Sequence, residues 1–228
     1  MEISNEKAVS PPGERFRWLY VFALGGDLRF ISHHDTLRLF RRALARADVP
    51  VRYSEGFNPH PKIMIPLPRP VGIASRDEAL VVETVRIIDP DHTLPRLQEQ
   101  LPTEIELISC RRLESGEQVE PQRVLYRLDV HDMKLEDLNE RVERLCAAQD
   151  IPIERKSPKT KQVRQVNIRP YLLDVRTTGD SVEFTLMVTG NGTARPAEIA
   201  SALGYDQGPM NHRIERLEVQ WSSTPRRK

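Results

Sequence analysis

The chain has 228 residues and is close to electrically neutral, with 34 Lys and Arg against 33 Asp and Glu. This balance argues against a uniformly basic protein that wraps nucleic acid, but it leaves room for a local basic face. No apolar run approaches the roughly 18 residues that a membrane span requires, and the polar start of the chain lacks the apolar segment of a secretory signal. We therefore expect a soluble cytoplasmic protein that does not associate with a membrane.

The two cysteines, Cys110 and Cys146, lie far apart in the sequence. Neither has a second cysteine or a histidine at the spacing of zinc ligands, which argues against a structural zinc site. Without a secretory signal, a reducing compartment is favoured over a disulfide between them. The sequence therefore predicts neither a metal site nor a cofactor.

The first half of the chain has the pattern of a βαββαβ unit. Residues 16–24 are apolar and rich in aromatic and β-branched side chains, and they end at Gly25-Gly26, which predicts a strand closed by a turn. Ser32 and Asp35 have the spacing of a capping box, and the apolar residues after them recur every three or four positions until Pro50, which predicts a helix. The elements predicted next are a short strand at 51–54, a rigid turn at 56–61, a strand at 79–88, a helix at 89–101 and a strand at 105–110.

The second half repeats this order without residue-by-residue identity. Its predicted elements are a strand at 124–130, a helix at 135–149, strands at 151–156, 169–176 and 182–188, a helix at 196–203 and a strand at 213–221. Two such units in succession predict an α+β fold made of two tandem ferredoxin-like (βαββαβ) sandwiches, each with helices on one face of an antiparallel sheet. The predicted boundaries are a flexible tail at 1–14, a first domain at 15–113, a linker at 114–123, a second domain at 124–222 and a basic tail at 223–228.

Polar residues gather at the predicted start of the first helix. Ser32, His33, His34 and Asp35 lie where free backbone N–H groups and the helix dipole attract an anion. Capping alone explains the spacing of Ser32 and Asp35, so capping is favoured over catalysis for these two. His33 and His34 are adjacent and point in different directions, so they cannot chelate one metal ion from the same helix face.

Arginines recur along the same predicted helix. Arg38, Arg42 and Arg46 are four residues apart, which places them in one stripe beside the apolar face. Such a stripe is usually a solvated helix surface, but a guanidinium group also binds phosphate in a bidentate manner. Both interpretations stay open.

The segment at 58–61 (NPHP) fixes His60 between two prolines, where the backbone has little freedom. One hypothesis is that His33, His34 and His60 converge near the helix start and offer a proton donor and acceptor. The candidate catalytic residues are His33, His60 and Asp35. The alternative is that His33 is a buried, hydrogen-bonded side chain.

The stretch at 26–75 closely resembles the radical-SAM-linked protein family, a domain of unknown function that occurs fused behind, or encoded near, a radical SAM enzyme. The matching residues are Gly26, Leu28, Arg29, Phe30, Ser32, His33, Asp35, Arg38, Arg42, Ser54, Gly56, Phe57, Asn58, Pro59, His60, Pro61, Pro66, Leu67 and Gly72. This chain departs from the family pattern at His34, where an apolar residue is usual. It also lacks the CxxxCxxC motif that holds a radical SAM cluster, because two cysteines cannot supply three thiolates. The resemblance therefore implies a stand-alone accessory form that acts with a separate radical SAM enzyme.

The favoured function is that of an accessory protein that binds RNA, or another phosphate-bearing ligand, for that partner. The residues expected to contact the ligand are Arg29, Ser32, His33, Arg38, Arg42, Arg46, Ser54, Asn58, His60 and Lys62. One alternative is a metal-free endoribonuclease that resembles the ferredoxin-like proteins that process CRISPR RNA, with His33 and His60 as base and acid. A structural adaptor is a further alternative.

Overall fold

The computed structural model describes residues 15–130, 133–156, 162–190, 192–205 and 210–222. The tails predicted at 1–14 and 223–228 lie outside these ranges. None of the helices in the described ranges combines the length and the apolar character that crossing a membrane requires.

The fold is α+β, as the sequence predicts. The strands are Phe16–Leu24 (β1), Ile63–Met64 (β2), Ala74–Thr84 (β3), Ile105–Arg112 (β4), Glu120–Asp129 (β5), Pro152–Lys156 (β6), Val163–Asn167 (β7), Leu172–Thr178 (β8), Ser181–Met187 (β9) and Ile214–Ser222 (β10). The helices are His33–Arg46 (α1), Pro90–Gln98 (α2), Leu135–Ala147 (α3) and Pro196–Ala202 (α4).

The strands of both halves form one continuous sheet. Its order is β4-β1-β3-β10-β5-β9-β8, and β2 pairs with β3 outside this path. Within each half the neighbouring strands are antiparallel. Strands β3 and β10 are parallel and pair Ala74 with Glu215 and Ser75 with Arg216, which joins the two halves and makes the sheet mixed. Strands β6 and β7 form a separate hairpin.

Two apolar clusters lie between the sheet and the helices. In the first half, alternate residues of β1 pack against α1, and the rings of Phe22 and Phe40 meet edge to face with centroids 4.7 Å apart. In the second half, Tyr126 and Phe184 stack at 5.6 Å beneath α3 and α4. The opposite face of β1 carries Leu19, which packs with residues near the start of β5. Because β1 is covered on both faces, its continuous apolar sequence is explained.

Several elements differ from the sequence prediction: β2 and β7 lie where no strand is predicted, β5 begins at Glu120 inside the predicted linker, and α2 ends at Gln98. Three further differences have a local cause. Strand β3 begins at Ala74 and ends at Thr84 instead of spanning 79–88, because its polar first residues are partly buried at the junction between the halves. The strand predicted at 51–54 is reduced to two isolated bridges, one of which pairs Tyr53 with Pro61. The strand predicted at 169–176 starts with a short 3-10 turn, Arg169–Tyr171, since Pro170 has no N–H to donate to a ladder. The domain boundaries and the two ferredoxin-like sandwiches stay predictions.

Candidate functional site

The first turn of α1 is capped as predicted. The Ser32 Oγ accepts a hydrogen bond from the Asp35 backbone N–H at 3.2 Å, and the hydroxyl donates to the Asp35 carboxylate at 2.6 Å. Arg38 donates to the other carboxylate oxygen of Asp35 at 3.1 Å. The hydrogen bond from Ser32, followed by the charge of Arg38, holds the pKa of Asp35 below its usual range. Ser32 and Asp35 therefore have a structural role that their spacing predicts.

His33 is half-buried beside the junction between the halves. It lines a narrow cavity of about 10 Å³ together with Thr36, Arg69 and Glu78, a space for about one water molecule. Burial lowers the pKa of His33, and the nearby imidazole of His34 lowers it further. The neutral imidazole is therefore favoured, which suits a hydrogen-bonding role more than a fixed positive charge at an anion site.

A buried ion pair lies behind this cavity. Arg216 of β10 and Glu78 of β3 are both buried, and the guanidinium donates to the carboxylate at 2.7 Å. Burial raises the pKa of Glu78, while the positive charge of Arg216 opposes this shift. Arg69 donates to the backbone carbonyls of Arg29 and Ile73, among others. These three charged residues tie the turn before α1 to both halves of the sheet.

Sequence reasoning missed all three of these residues. Glu78 and Arg216 are 138 positions apart, so no local pattern connects them. The available signal is weak: Glu78 directly precedes an apolar run, and a charged residue next to a buried segment often has a partner. Arg69 lies between Pro68 and Pro70, outside the helices and strands that the sequence predicts.

The arginine stripe lines one open groove. Arg38, Arg42 and Arg46 face the segment 99–102 across a cavity of about 550 Å³. Arg46 donates through Nε to the side chain of Gln100 at 3.1 Å, which fixes the carboxyl-terminal end of the stripe. Arg42 has no hydrogen-bond or ion-pair partner among the described residues. We call this cavity the arginine groove.

Arg29 lies apart from the arginine groove. Its guanidinium donates to the Gly26 carbonyl at 2.9 Å and to the His212 carbonyl at 3.1 Å. It also lines an open cleft of about 590 Å³ where the ends of β1 and β5 meet the starts of β3, β9 and β10. Arg29 therefore bridges the two halves, which its position in the sequence does not predict.

The remaining predicted residues lie on an exposed loop. The backbone N–H of Ser54 donates to the His60 carbonyl at 2.8 Å, and the His60 N–H donates to the Ser54 Oγ at 2.9 Å. Asn58, His60 and Lys62 are exposed on or next to this loop. We call residues 54–60 the closed loop.

The predicted residues thus occupy several places in the fold. The arginines of α1 share the arginine groove, while Ser54, Asn58 and His60 share the closed loop. The cavity that His33 lines does not include His60, so the structure does not bring these two histidines together in one cavity. Within the described ranges, no three His, Cys, Asp or Glu side chains are close enough to hold a metal ion.

The chain belongs to a bacterial family without an assigned function. The family is described as an uncharacterized protein conserved in bacteria (DUF2344), and it matches residues 17–196. Nothing in this match connects the chain to radical SAM enzymes, so that association stays a proposal.

Comparison with curated proteins and solved structures does not indicate a function for this chain. No curated protein matches the chain. A solved structure that it resembles is titled as an unknown protein from Galdieria sulphuraria, with 13% identity over 92% of this chain and 99% of that chain. The TM-score of 0.24 is too low to support any argument from that structure.

Proposed function

We propose that this protein is a cytoplasmic accessory protein that binds RNA in the arginine groove and presents it to a separate radical SAM enzyme. The observation that carries the proposal is the alignment of Arg38, Arg42 and Arg46 along one open groove. Residues four apart on a helix are separated by about 6 Å along its axis. A row of guanidinium groups at this spacing suits a polymer of repeated phosphates better than a single phosphate.

The electrostatics of the groove support a polyanion. Guanidinium groups stay charged and bind phosphate oxygens through two parallel N–H donors. Arg42 lies in the middle of the row without a partner in the described residues, so an incoming phosphate would not have to displace a carboxylate from it. Asp35, which is paired with Arg38, and Glu99 also line the groove. Their negative charges favour a ligand that passes along α1 rather than one that fills the whole cavity.

The strand order supports a finer description of the fold. In each half, the first strand lies between the third strand and the last strand. In the first half β1 lies between β3 and β4, and in the second half β5 lies between β9 and β10. This order is that of a ferredoxin-like sandwich, so we describe the protein as two tandem ferredoxin-like units that share one sheet. The interpretation of β2 as the second strand of the first unit rests on its antiparallel pairing with β3.

The partner is proposed from the family resemblance of the stretch at 26–75. The chain has two cysteines and so lacks the three closely spaced thiolates of a radical SAM cluster. Any radical chemistry would therefore take place on another chain, and this protein would supply the bound RNA.

Binding is favoured over RNA cleavage as the activity. Cleavage without a metal needs a base and an acid near the same phosphodiester. His33 lines a narrow cavity that does not include His60, and His60 lies on the closed loop. RNA incubated with the protein in the absence of metal ions should therefore be recovered intact.

The test is RNA binding measured by fluorescence anisotropy at several salt concentrations. A single-stranded oligoribonucleotide should bind with an affinity that falls as salt rises, because each phosphate that the protein neutralises releases counterions. Arg38→Ala combined with Arg42→Ala should weaken binding and reduce the slope of log K against log salt by about 0.7 for each phosphate that is no longer neutralised.

The matched control is Arg144→Ala, which removes an exposed helical arginine from α3. Its affinity and salt slope should equal those of the unaltered protein. Binding that is absent, or binding that the groove variants leave at the level of the Arg144→Ala control, would contradict the proposal.

A further inference from the structure

The tip of the closed loop carries a fully exposed aromatic ring. Phe57 has a relative exposure of 112%, so no part of the fold covers its ring. Burying a phenylalanine side chain is favourable, and in this protein the ring of Phe57 stays in solvent. Tyr53, at the stem of the same loop, is 50% exposed.

The closed loop presents this ring to solvent on a backbone that is closed at its base. Ser54 and His60 exchange two hydrogen bonds at 2.8 and 2.9 Å, and the bridge between Tyr53 and Pro61 continues the closure. Gly56 has a φ of +117°, a conformation that L side chains rarely adopt, so this position requires glycine. The backbone of the loop is therefore closed at its base, which places Phe57 at its tip and limits where the residue can lie.

The stem of the loop is basic. Arg52 and Lys62 face each other across it, and the Lys62 N–H donates to the Arg52 carbonyl at 2.8 Å. Neither of their side chains has a hydrogen-bond or ion-pair partner among the described residues. Glu55 is the one acidic residue between them in the sequence.

We propose that Phe57 is a stacking platform for an unpaired base of single-stranded RNA, with Arg52 and Lys62 holding the adjacent phosphates. Exposed aromatic rings beside basic side chains are the arrangement by which proteins bind single strands, because every base has a face that stacks on a ring. An unpaired base is required, since the bases of a duplex are already stacked on each other. This inference rests on the proposed function and specifies that the RNA bound by the protein is single-stranded.

The experiment compares three probes by fluorescence anisotropy: a short oligoadenylate, the same strand in a duplex with its complement, and inorganic polyphosphate. Phe57→Ala should weaken oligoadenylate binding about 5- to 150-fold, which is the range for losing one stacked base. It should leave polyphosphate binding and the salt slope unchanged, because polyphosphate has no bases. Phe57→Trp should restore oligoadenylate binding.

The matched control is Ile108→Ala, which removes an exposed apolar side chain from β4. It should bind all three probes as the unaltered protein does. Because Phe57 is fully exposed, its variants should also keep the thermal unfolding midpoint, which separates a loss of stacking from a loss of folding.

The outcomes separate this inference from the proposed function. If Phe57→Ala binds oligoadenylate normally while the groove variants weaken it, the stacking inference is overturned and the proposed function stands. If Phe57→Ala weakens polyphosphate as much as oligoadenylate, or if the duplex binds as tightly as the single strand, stacking is likewise overturned. If none of the three probes binds with an affinity that depends on salt, the proposed function is overturned, and the stacking inference that rests on it is overturned with it.

Discussion

The Ser32 hydroxyl both caps α1 and fixes the carboxylate of Asp35. We expect Ser32→Ala to lower the free energy of unfolding by about 1 kcal/mol, as other N-cap serine substitutions do. Urea denaturation measures this loss, and Ser32→Gly should lose only a few tenths. An unchanged unfolding free energy in Ser32→Ala would mean that the cap is not formed in solution.

The same substitution should move the pKa of Asp35. The hydrogen bond from Ser32 is the main cause of the lowered pKa, so Ser32→Ala should bring it back toward its ordinary value. A carboxylate with a lowered pKa stabilises the fold above its unfolded pKa, and this contribution disappears as the pH falls through the folded pKa. The loss in Ser32→Ala should therefore be smaller in acid than at neutral pH.

We expect His33 also to make the stability of the fold depend on pH. The cause is burial of an imidazole and not hydrogen bonding of a carboxylate. Its pKa is lowered from 6.5 by burial and by His34, so the unfolded chain binds a proton that the folded chain rejects. Stability should be unaffected by this group above about pH 6.5 and should fall as the pH drops below it. Denaturation of His33→Gln should show a weaker fall between neutral and mildly acidic pH. Equal pH profiles for the two proteins would contradict the burial of His33.

At the scale of single residues, local spacing predicts local contacts. The Ser32 cap and the arginine stripe of α1 need only a helix, and the sequence predicts both. The pair of Glu78 and Arg216 depends on two strands that are far apart in the chain, and no spacing rule reaches across 138 positions.

Among the elements, the closed loop offers a direct test. Ser54→Ala removes the acceptor for the His60 N–H, which lies 2.9 Å from the Ser54 Oγ. A hydrogen bond of this kind is worth about 0.5–1.5 kcal/mol, so the His60 amide should exchange with solvent roughly two- to tenfold faster. Amide exchange followed by NMR measures this change. The amides of α1 should keep their exchange rates, and a general increase would indicate wider unfolding.

The sequence predicts an element well where its buried residues are apolar and poorly where its buried residues are polar. Strand β1 has the bounds that the sequence predicts, because its apolar run and its closing turn are both local signals. The sequence prediction misses the start of β3 because Ser75 and Glu78 are buried polar residues that resemble a surface segment in the sequence. Strand β2 has only two residues, too few for any alternation to appear.

At the scale of the whole molecule, the buried ion pair joins the two halves. Glu78→Ala alone should lower the free energy of unfolding by about 3–5 kcal/mol, because Arg216 would remain buried without its partner. Replacing both residues, as in Glu78→Leu with Arg216→Met, should recover most of this loss, since a buried pair exchanged for apolar residues is often neutral. A double variant as unstable as the sum of both single variants would contradict this coupling.

The continuity of the sheet lies beyond prediction from the sequence. The repeat of the element order predicts two similar units, but it contains no information on whether their sheets join. The joining contact is a short parallel pairing between β3 and β10 at Ala74 and Ser75. The register of this pairing depends on how the two halves pack against each other, which the sequence pattern does not contain.

The central position of β10 also affects how the chain matures on the ribosome. Strand β10 follows the other nine described strands in the chain, yet it lies between β3 and β5. While Ile214–Ser222 is still inside the exit tunnel, β3 and β5 lack the strand that lies between them, and any such edge that has emerged can pair with a neighbouring nascent chain. Protease resistance of stalled chains should therefore rise sharply only when β10 emerges. A chain stalled earlier with full resistance in its first half would show that the halves mature independently.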